Sequence, residues 1–306
     1  EHVLQPLPLA DAIKFIPAKI RKRLTPMEQL RYIMVSGGIP SYLLAFNYVK
    51  SLEDNLAHNA YSPGGYFFNE YDRLLNDLFR SKGKRIQLIL ETLNKSKSSA
   101  EQIARALGIG KANGHLYGDL DMMIMSGFIE EVTPWDFSNG KKAQRNKQYC
   151  ISDPYIRFYL KCIKPYRQRI LNGDSSPCNN LDSFLGLQFE IVMRQNLTLV
   201  YQILGIKKQQ VLNAGSYQTK GLQIDLLIQT RRFFYIVEMK FQLDELDSDV
   251  VLSMQQKLDR FPSSQNQSIK TALSIKTALI HVSGAKACVL DSEYIDICEN
   301  VYDHIK

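Results

Sequence analysis

The sequence predicts a multidomain chain, all-α at its start and α/β at its end, with a three-helix, two-strand module between. Three observations carry this. Apolar residues recur at helical spacing from Leu7 to Arg80, interrupted at Pro26, Gly37-Gly38-Ile39-Pro40 and Ser62-Pro63-Gly64-Gly65. Between Gly83 and Ser152, helical patterns separated by a Gly-Ile-Gly turn lead into two short strands. From Gly221 to Phe241 the run GLQIDLLIQTRRFFYIVEMKF reads as two strands, one with a lone Asp and the other with Glu-x-Lys.

Composition narrows the function classes. At 306 residues the chain is long enough for two or three domains, and 45% hydrophobic with 23% charged residues is an ordinary globular balance. The net charge of +7, from 38 basic and 31 acidic residues, favours a polyanionic partner. Five cysteines, none in a Cys-x-x-Cys pair, argue for reduced thiols rather than disulfides or structural zinc. No apolar run approaches the roughly eighteen residues of a membrane span, so a soluble, cytoplasmic protein with no membrane partner is expected. The opening Glu1-His2-Val3-Leu4-Gln5-Pro6 reads as mid-protein text, so a segment upstream is expected.

Residues 1–80 are expected to form a helical bundle, with helices at Ala10 to Ile16, Pro26 to Val35, Ser41 to Tyr48 and Ser51 to Ala60. Pro40 suits a first helical position, where its missing N–H costs nothing. Residues 83–171 read as a winged helix-turn-helix with a trailing helix. Its helices are Arg85 to Leu93, Ser99 to Leu107 with Ser99 and Gln102 as a capping box, and Ala112 to Ser126 ended by Gly127. Strands at Phe128 to Val132 and Gln148 to Ile151 flank a loop holding Lys141, Lys142, Arg145 and Lys147 without an acid. That loop is the expected wing. Lys111, Asn113, His115 and Tyr117 are the groove candidates on the third helix, with Asp119 and Asp121 expected to repel phosphates. Winged helices also dock proteins, and that alternative stays open. Asp153 and Pro154 start the trailing helix as cap and first residue; its Lys161, Lys164, Arg167 and Arg169 either extend a nucleic-acid surface or are merely solvated.

After a linker at Asn172 to Leu181, residues 182–306 read as a helix from Phe184 to Leu204, a strand near Gln210 to Gly215, the hairpin, a helix from Asp247 to Phe261, a strand near Thr277 to Ser283, and an αβ tail. A hairpin centred on Arg231 and Arg232, or a four-residue loop from Thr230 to Phe233, sets residue 225 opposite 238. Opposed Cβ atoms lie about 4.5–5.5 Å apart, so Asp225 and Glu238 converge, and Lys240 shares Glu238's face. Two carboxylates this close need a cation or a hydrogen-bond network, and a hard divalent ion suits oxygen ligands. The trio is expected on a polar strand face. Glu190 is an auxiliary candidate or a surface ion pair with Arg194, four residues on; Gln255 or Gln256 could reach from the following helix. The hexapeptide Ser-Ile-Lys-Thr-Ala-Leu occurs twice, at Ser268 and Ser274, and only one copy can occupy the strand. His281 on that strand is expected in packing rather than as a ligand.

Asp225 followed by Glu238-Met239-Lys240, between helices, resembles the PD-(D/E)XK nuclease core, whose αβββαβ restriction-endonuclease-like fold matches this order of elements. The same spacing also occurs as a solvated strand end. Gly37 to Leu43, after an amphipathic helix, is similar to the helical lid of archaeal-type ATPases of the AAA+/STAND group, and Ser152-Asp153-Pro154-Tyr155-Ile156-Arg157-Phe158-Tyr159 resembles the junction after their winged helix. The resemblance implies a DNA-binding member of that group without its P-loop domain. It implies a catalytic trio of Asp225, Glu238 and Lys240, with Mg²⁺ or Mn²⁺ held by Asp225 and Glu238, and a nucleotide approached by Gly38 and Pro40. No Gly-x-x-x-x-Gly-Lys-Ser/Thr run is present, so ATP is expected only with a separate ATPase domain as partner. A homo-oligomer is a further possible assembly. The rival reading is a non-catalytic, ATP-gated regulator that binds DNA or protein.

Overall fold

A computed structural model describes residues 6–79, 82–132, 147–176, 178–219, 221–261 and 274–305. Local signals set the helix starts. Thr25 accepts from the Glu28 N–H while Glu28 accepts from the Thr25 N–H, and Pro26 opens the helix behind this box. The N-terminal helices are α1 (Leu9–Ala12), α2 (Ala18–Arg21), α3 (Pro26–Ser36), α4 (Pro40–Leu44), α5 (Leu52–Asn59) and α6 (Tyr66–Phe79). Two differ from expectation. The Ala10 to Ile16 helix is α1 plus a 3₁₀ turn at Ile13–Phe15, and α4 stops early, where the Tyr48 hydroxyl donates to the Leu43 carbonyl. Helices α2 and α6 were not among the expected elements; α6 buries Phe67, Phe68, Tyr71, Leu75 and Phe79.

Helices α7 (Gly83–Lys95), α8 (Ala100–Ala106) and α9 (Gly114–Met125) precede the antiparallel pair β1 (Ile129–Val132) and β2 (Gln148–Ile151). The Ser99–Gln102 capping box forms as the sequence predicts, and so does the Asp153 cap with Pro154 first in α10 (Pro154–Phe158). Helix α11 (Arg167–Leu171) follows, then α12 (Leu181–Gln195) and α13 (Leu197–Ile203). The single helix expected from Phe184 to Leu204 is thus broken at Asn196. There the side chain donates to the Val192 carbonyl and accepts from the Leu9 N–H, competing with helix continuation.

The five-stranded sheet contains β3 (Val211–Thr219), β4 (Leu222–Thr230), β5 (Phe233–Lys240), β6 (Ser274–His281) and β7 (Ile297–Asn300) in spatial order. Pairs β3–β4 and β4–β5 are antiparallel; β5–β6 and β6–β7 are parallel. Helix α14 (Ser248–Arg260) crosses between β5 and β6, and α15 (Ala287–Leu290) between β6 and β7. The second hexapeptide copy, Ser274 to Leu279, forms the start of β6; the first copy lies outside the described residues.

Alternation along β5 assigns its two faces to different cores. Tyr235, Val237 and Met239 join a hydrophobic cluster that runs through the helical part to Leu9 and Ile305, while Phe234 and Ile236 pack with Val250 and Met254 of α14. His281 is buried as expected of packing, with its Nδ1 against the Ser283 carbonyl. Arg157 ties the middle of the chain together: its Nη1 donates to the Ile151 carbonyl at 2.6 Å and its Nε to Gln188 Oε1 at 3.1 Å. Among the described residues no helix is long and apolar enough to cross a membrane.

Gly37 ends α3 in the left-handed region at φ 61°, and a Cβ there would fall 2.0 and 2.1 Å from ring carbons of Pro154. The Gly-Gly-Ile-Pro turn and the Ser-Asp-Pro run are therefore in contact. Gly37→Ala should cost about 2–4 kcal/mol, left-handed strain plus overpacking. Gly108→Ala is the control, since φ there is 72° and nothing lies within 4 Å of an added Cβ. Urea denaturation showing equal losses for the two variants would refute the Pro154 contact.

Candidate functional site

The hairpin closes through Thr230. Its Oγ1 accepts from the Phe233 N–H at 3.0 Å and donates to the Phe233 carbonyl at 3.0 Å, so Arg231 and Arg232 sit in a four-residue loop. The recorded pairs run from Gln229↔Phe234 to Leu226↔Val237. This is the register the sequence predicts, and the ladder stops there, with Asp225 and Glu238 the first residues beyond its end.

A bulge adjusts this geometry. Gly215 pairs with Leu227 but Tyr217 pairs with Ile224, so two steps on β3 match three on β4, and the extra residue falls beside Asp225. Leu222 and Ile224 lie with α14's core, Leu226 and Ile228 with the opposite core, and Leu227 again with α14's. The face therefore switches at Asp225. One Asp225 oxygen, Oδ2, accepts from the Met239 N–H at 3.0 Å, and the Asp225 carbonyl accepts from Arg194 Nη1 at 3.4 Å.

Asp225, Glu238 and Lys240 open onto one cavity of about 340 Å³, together with Glu190 from α12 and Gln256, Lys257 and Arg260 from α14. The expectation of a polar strand face is corrected here. Asp225 is 6% exposed and Glu238 1%, because α14 covers the hydrophobic residues beside them. Burial of Glu238 is offset by Lys257, whose ammonium donates to Oε1, and by Lys240, 3.8 Å from Oε2. Burial and the Asp225 charge still raise the Glu238 pKa, against the two lysines. Glu190 is pushed up to about 7 by burial and by Asp225, although Arg194 lies 3.6 Å away. Glu190 thus lines the cavity while paired with Arg194.

Gln255 is placed elsewhere: its Nε2 donates to the Tyr294 hydroxyl at 3.3 Å, and Gln256 takes the cavity wall. The helical phase decides this. Ser253, Gln256, Lys257 and Arg260 share one face of α14 and all line the cavity. The sequence reading missed Lys257 and Arg260, although their spacing from Gln256 was visible.

The donor set suits Mg²⁺ or Mn²⁺ more than a softer metal, since Asp225 and Glu238 offer only oxygens. Among the described residues no three His, Cys, Asp or Glu side chains form a group that could hold a metal unaided. Mg²⁺ commonly binds through one or two carboxylates and keeps several waters, so these two residues fit such an ion.

Of the expected DNA-contacting residues, Lys141, Lys142 and Arg145 lie outside the described residues. Lys147 pairs with Glu131 across the β1–β2 sheet at 3.0 Å. Lys111 and His115 are exposed, as is Tyr117, but Asn113 caps α9 by accepting from the Leu116 N–H. Asp119 is buried and held by Lys82 and Arg85, so it presents no repulsive face. Lys164, Arg167 and Arg169 pair with Glu91, Asp72 and Asp174. Gly38 accepts from the Leu7 N–H through its carbonyl, and beside it lies a cavity of about 230 Å³ reaching Leu9 and Asn196; Pro40 opens α4.

No protein-family model matches the chain, and no curated protein matches it.

Glu190 provides a pH test. Its folded pKa of about 7 exceeds the ordinary 4.5, so the folded state binds more protons between those values and loses stability as pH rises through them. Glu190→Gln removes this loss. In chelator, the wild-type chain should fall relative to the variant by on the order of 2 kcal/mol from about pH 4.5 to about pH 8. Parallel stability curves would show that Glu190 titrates normally.

Proposed function

We propose that the chain is a DNA-binding protein of the archaeal-type ATPase kind, whose Asp225–Glu238–Lys240 pocket hydrolyses phosphodiester bonds with Mg²⁺ or Mn²⁺. One observation carries the reading: the hairpin register and the β4 bulge bring two buried carboxylates and a lysine to one open cavity rimmed by Lys257 and Arg260. Such a cluster is expensive to bury and does not serve packing.

Asp225 and Glu238 would hold the ion, which supplies Lewis-acid polarisation of the phosphate and a bound water of lowered pKa. Lys240 orients the attacking water and offsets charge developing on the phosphate. Lys257 opposes the rise that burial and Asp225 impose on the Glu238 pKa, and Arg194 holds the Asp225 carbonyl in position. Arg260, whose Nη1 donates to the Gly221 carbonyl at 2.8 Å, contributes positive charge at the rim for the DNA backbone.

The second reading, a non-catalytic DNA- or protein-binding regulator, draws on the Glu238–Lys257 pair, which satisfies the carboxylate without a metal. A nucleotide bound near Gly38 and Pro40, with a separate ATPase domain as partner, belongs to the same family proposal and extends to either reading.

Cleavage separates the two. With Mn²⁺ and a mixture of supercoiled, branched and single-stranded DNA, the wild-type chain should cut, and Asp225→Asn or Lys240→Met should lose on the order of a hundredfold or more in rate. Asp225→Asn cutting at the wild-type rate would place the chemistry elsewhere; DNA bound but never cut would favour the regulator.

The wing is tested by salt. Replacing Lys141, Lys142, Arg145 and Lys147 by Ala should weaken duplex binding and reduce the log–log salt slope by about one for each side chain that touches phosphate. An unchanged slope would favour protein docking.

A further inference from the structure

A second cavity, of about 620 Å³, adjoins the carboxylate pocket and shares Glu190 and Lys240 with it. Its chemistry is different. Phe184, Leu187 and Phe241 supply apolar wall, the side-chain amides of Asn180 and Gln242 supply donors and acceptors, and Lys161 supplies a positive charge. Phe241 is half-buried and braced by Phe189, with ring centroids 5.4 Å apart; Phe184 is braced by Phe158 at the same separation. A wall that is about half apolar and half polar, with a volume of several hundred Å³, fits an amphiphilic ligand such as a nucleoside.

Gly186 adds an independent observation. It sits inside α12, where glycine is less stable than alanine, and a Cβ there would meet only the Phe241 carbonyl oxygen, at 4.0 Å. Packing does not require a glycine. The residue lines the cavity, and a larger side chain at this position would fill it.

We propose that this cavity receives one unpaired nucleobase of a DNA strand whose neighbouring phosphate lies at Asp225, Glu238 and Lys240. The Phe241 ring offers a stacking surface, and the amides of Asn180 and Gln242 match the donor and acceptor pattern of a base edge. Lys161 is exposed, and among the four basic residues of its segment it is the one with no ion pair described, which leaves its ammonium for a flanking phosphate. A base inside an intact duplex cannot enter without leaving its stack, so DNA with a bulge, flap or single-stranded stretch is favoured. The preference for cleavage rests on the nuclease reading; the base-binding site does not.

The experiment uses the full chain and oligonucleotides carrying one 2-aminopurine, either unpaired or within a duplex. In chelator, the unpaired probe should change fluorescence on binding and bind at least tenfold more tightly than the duplex. Gly186→Leu, which fills the cavity, and Leu187→Glu, at an exposed position, should each abolish the fluorescence change. Asn180→Ala with Gln242→Ala should weaken the unpaired probe about tenfold and leave the duplex unchanged. With Mn²⁺, cleavage should concentrate beside the unpaired nucleotide. Fluorescence changes lost in these variants, without cleavage of any DNA, would sustain the base site and sink the nuclease reading. Cleavage of duplex and bulged DNA at equal rates, insensitive to Gly186→Leu and Leu187→Glu, would overturn the base site and leave the nuclease reading standing. A chain that binds none of the probes overturns the base site as well.

Discussion

Two small local devices act in series to place a pair of carboxylates that the fold would otherwise separate. The Thr230 side chain closes the hairpin loop and fixes which residue of β4 faces which residue of β5. Without it, a slip of one position would send Glu238 and Lys240 to the opposite face of the sheet. The extra residue of β4 beside Asp225 then moves the switch of faces to the point where the strand reaches α14's side. Each device is local, yet the cavity, its buried charges and its cationic rim follow from both together.

Around that pair the chain is built as one body of contacts. The hydrophobic cluster containing Leu9 and Phe67 also contains Ile129, Phe184, Val237 and Ile305. Polar bonds cross the same ground: the Tyr302 hydroxyl donates to Gln29 Oε1 at 2.8 Å, and the Leu9 N–H donates to Asn196 Oδ1 at 2.8 Å. Arg157 bridges β2 and α12 while burial depresses its pKa to about 10. A guanidinium held this way is costly to strand, so its partners constrain the angle between the two-stranded sheet and α12.

Much of this was legible in the sequence because the deciding interactions are short-range. Ser99 and Asp153 announced their helices by side chains that reach only three residues ahead. The register that brings Asp225 and Glu238 to the end of the β4–β5 ladder followed from where the loop had to fall. What escaped was set by distant neighbours. The break at Asn196 depends on Leu9, far away in sequence, and the bulge at Asp225 depends on how β3 lies against β4. Burial of Glu238 depends on the phase of α14, which also decides that Lys257 and Gln256, rather than Gln255, meet the cavity. Periodicity gives a helix its faces but not which face meets which strand.

The twin hexapeptides show how such a sheet can absorb an insertion. Six is an even number of strand positions, so sliding the chain by one whole copy returns the same side chains to the same faces beside Phe233 to Glu238. The pattern facing β5 therefore does not distinguish the two copies. Ile280 and His281 do, because only the second copy is followed by them, beside Met239 and Lys240. A tandem duplication at this point would leave the sheet's composition untouched and lengthen only the stretch between α14 and β6.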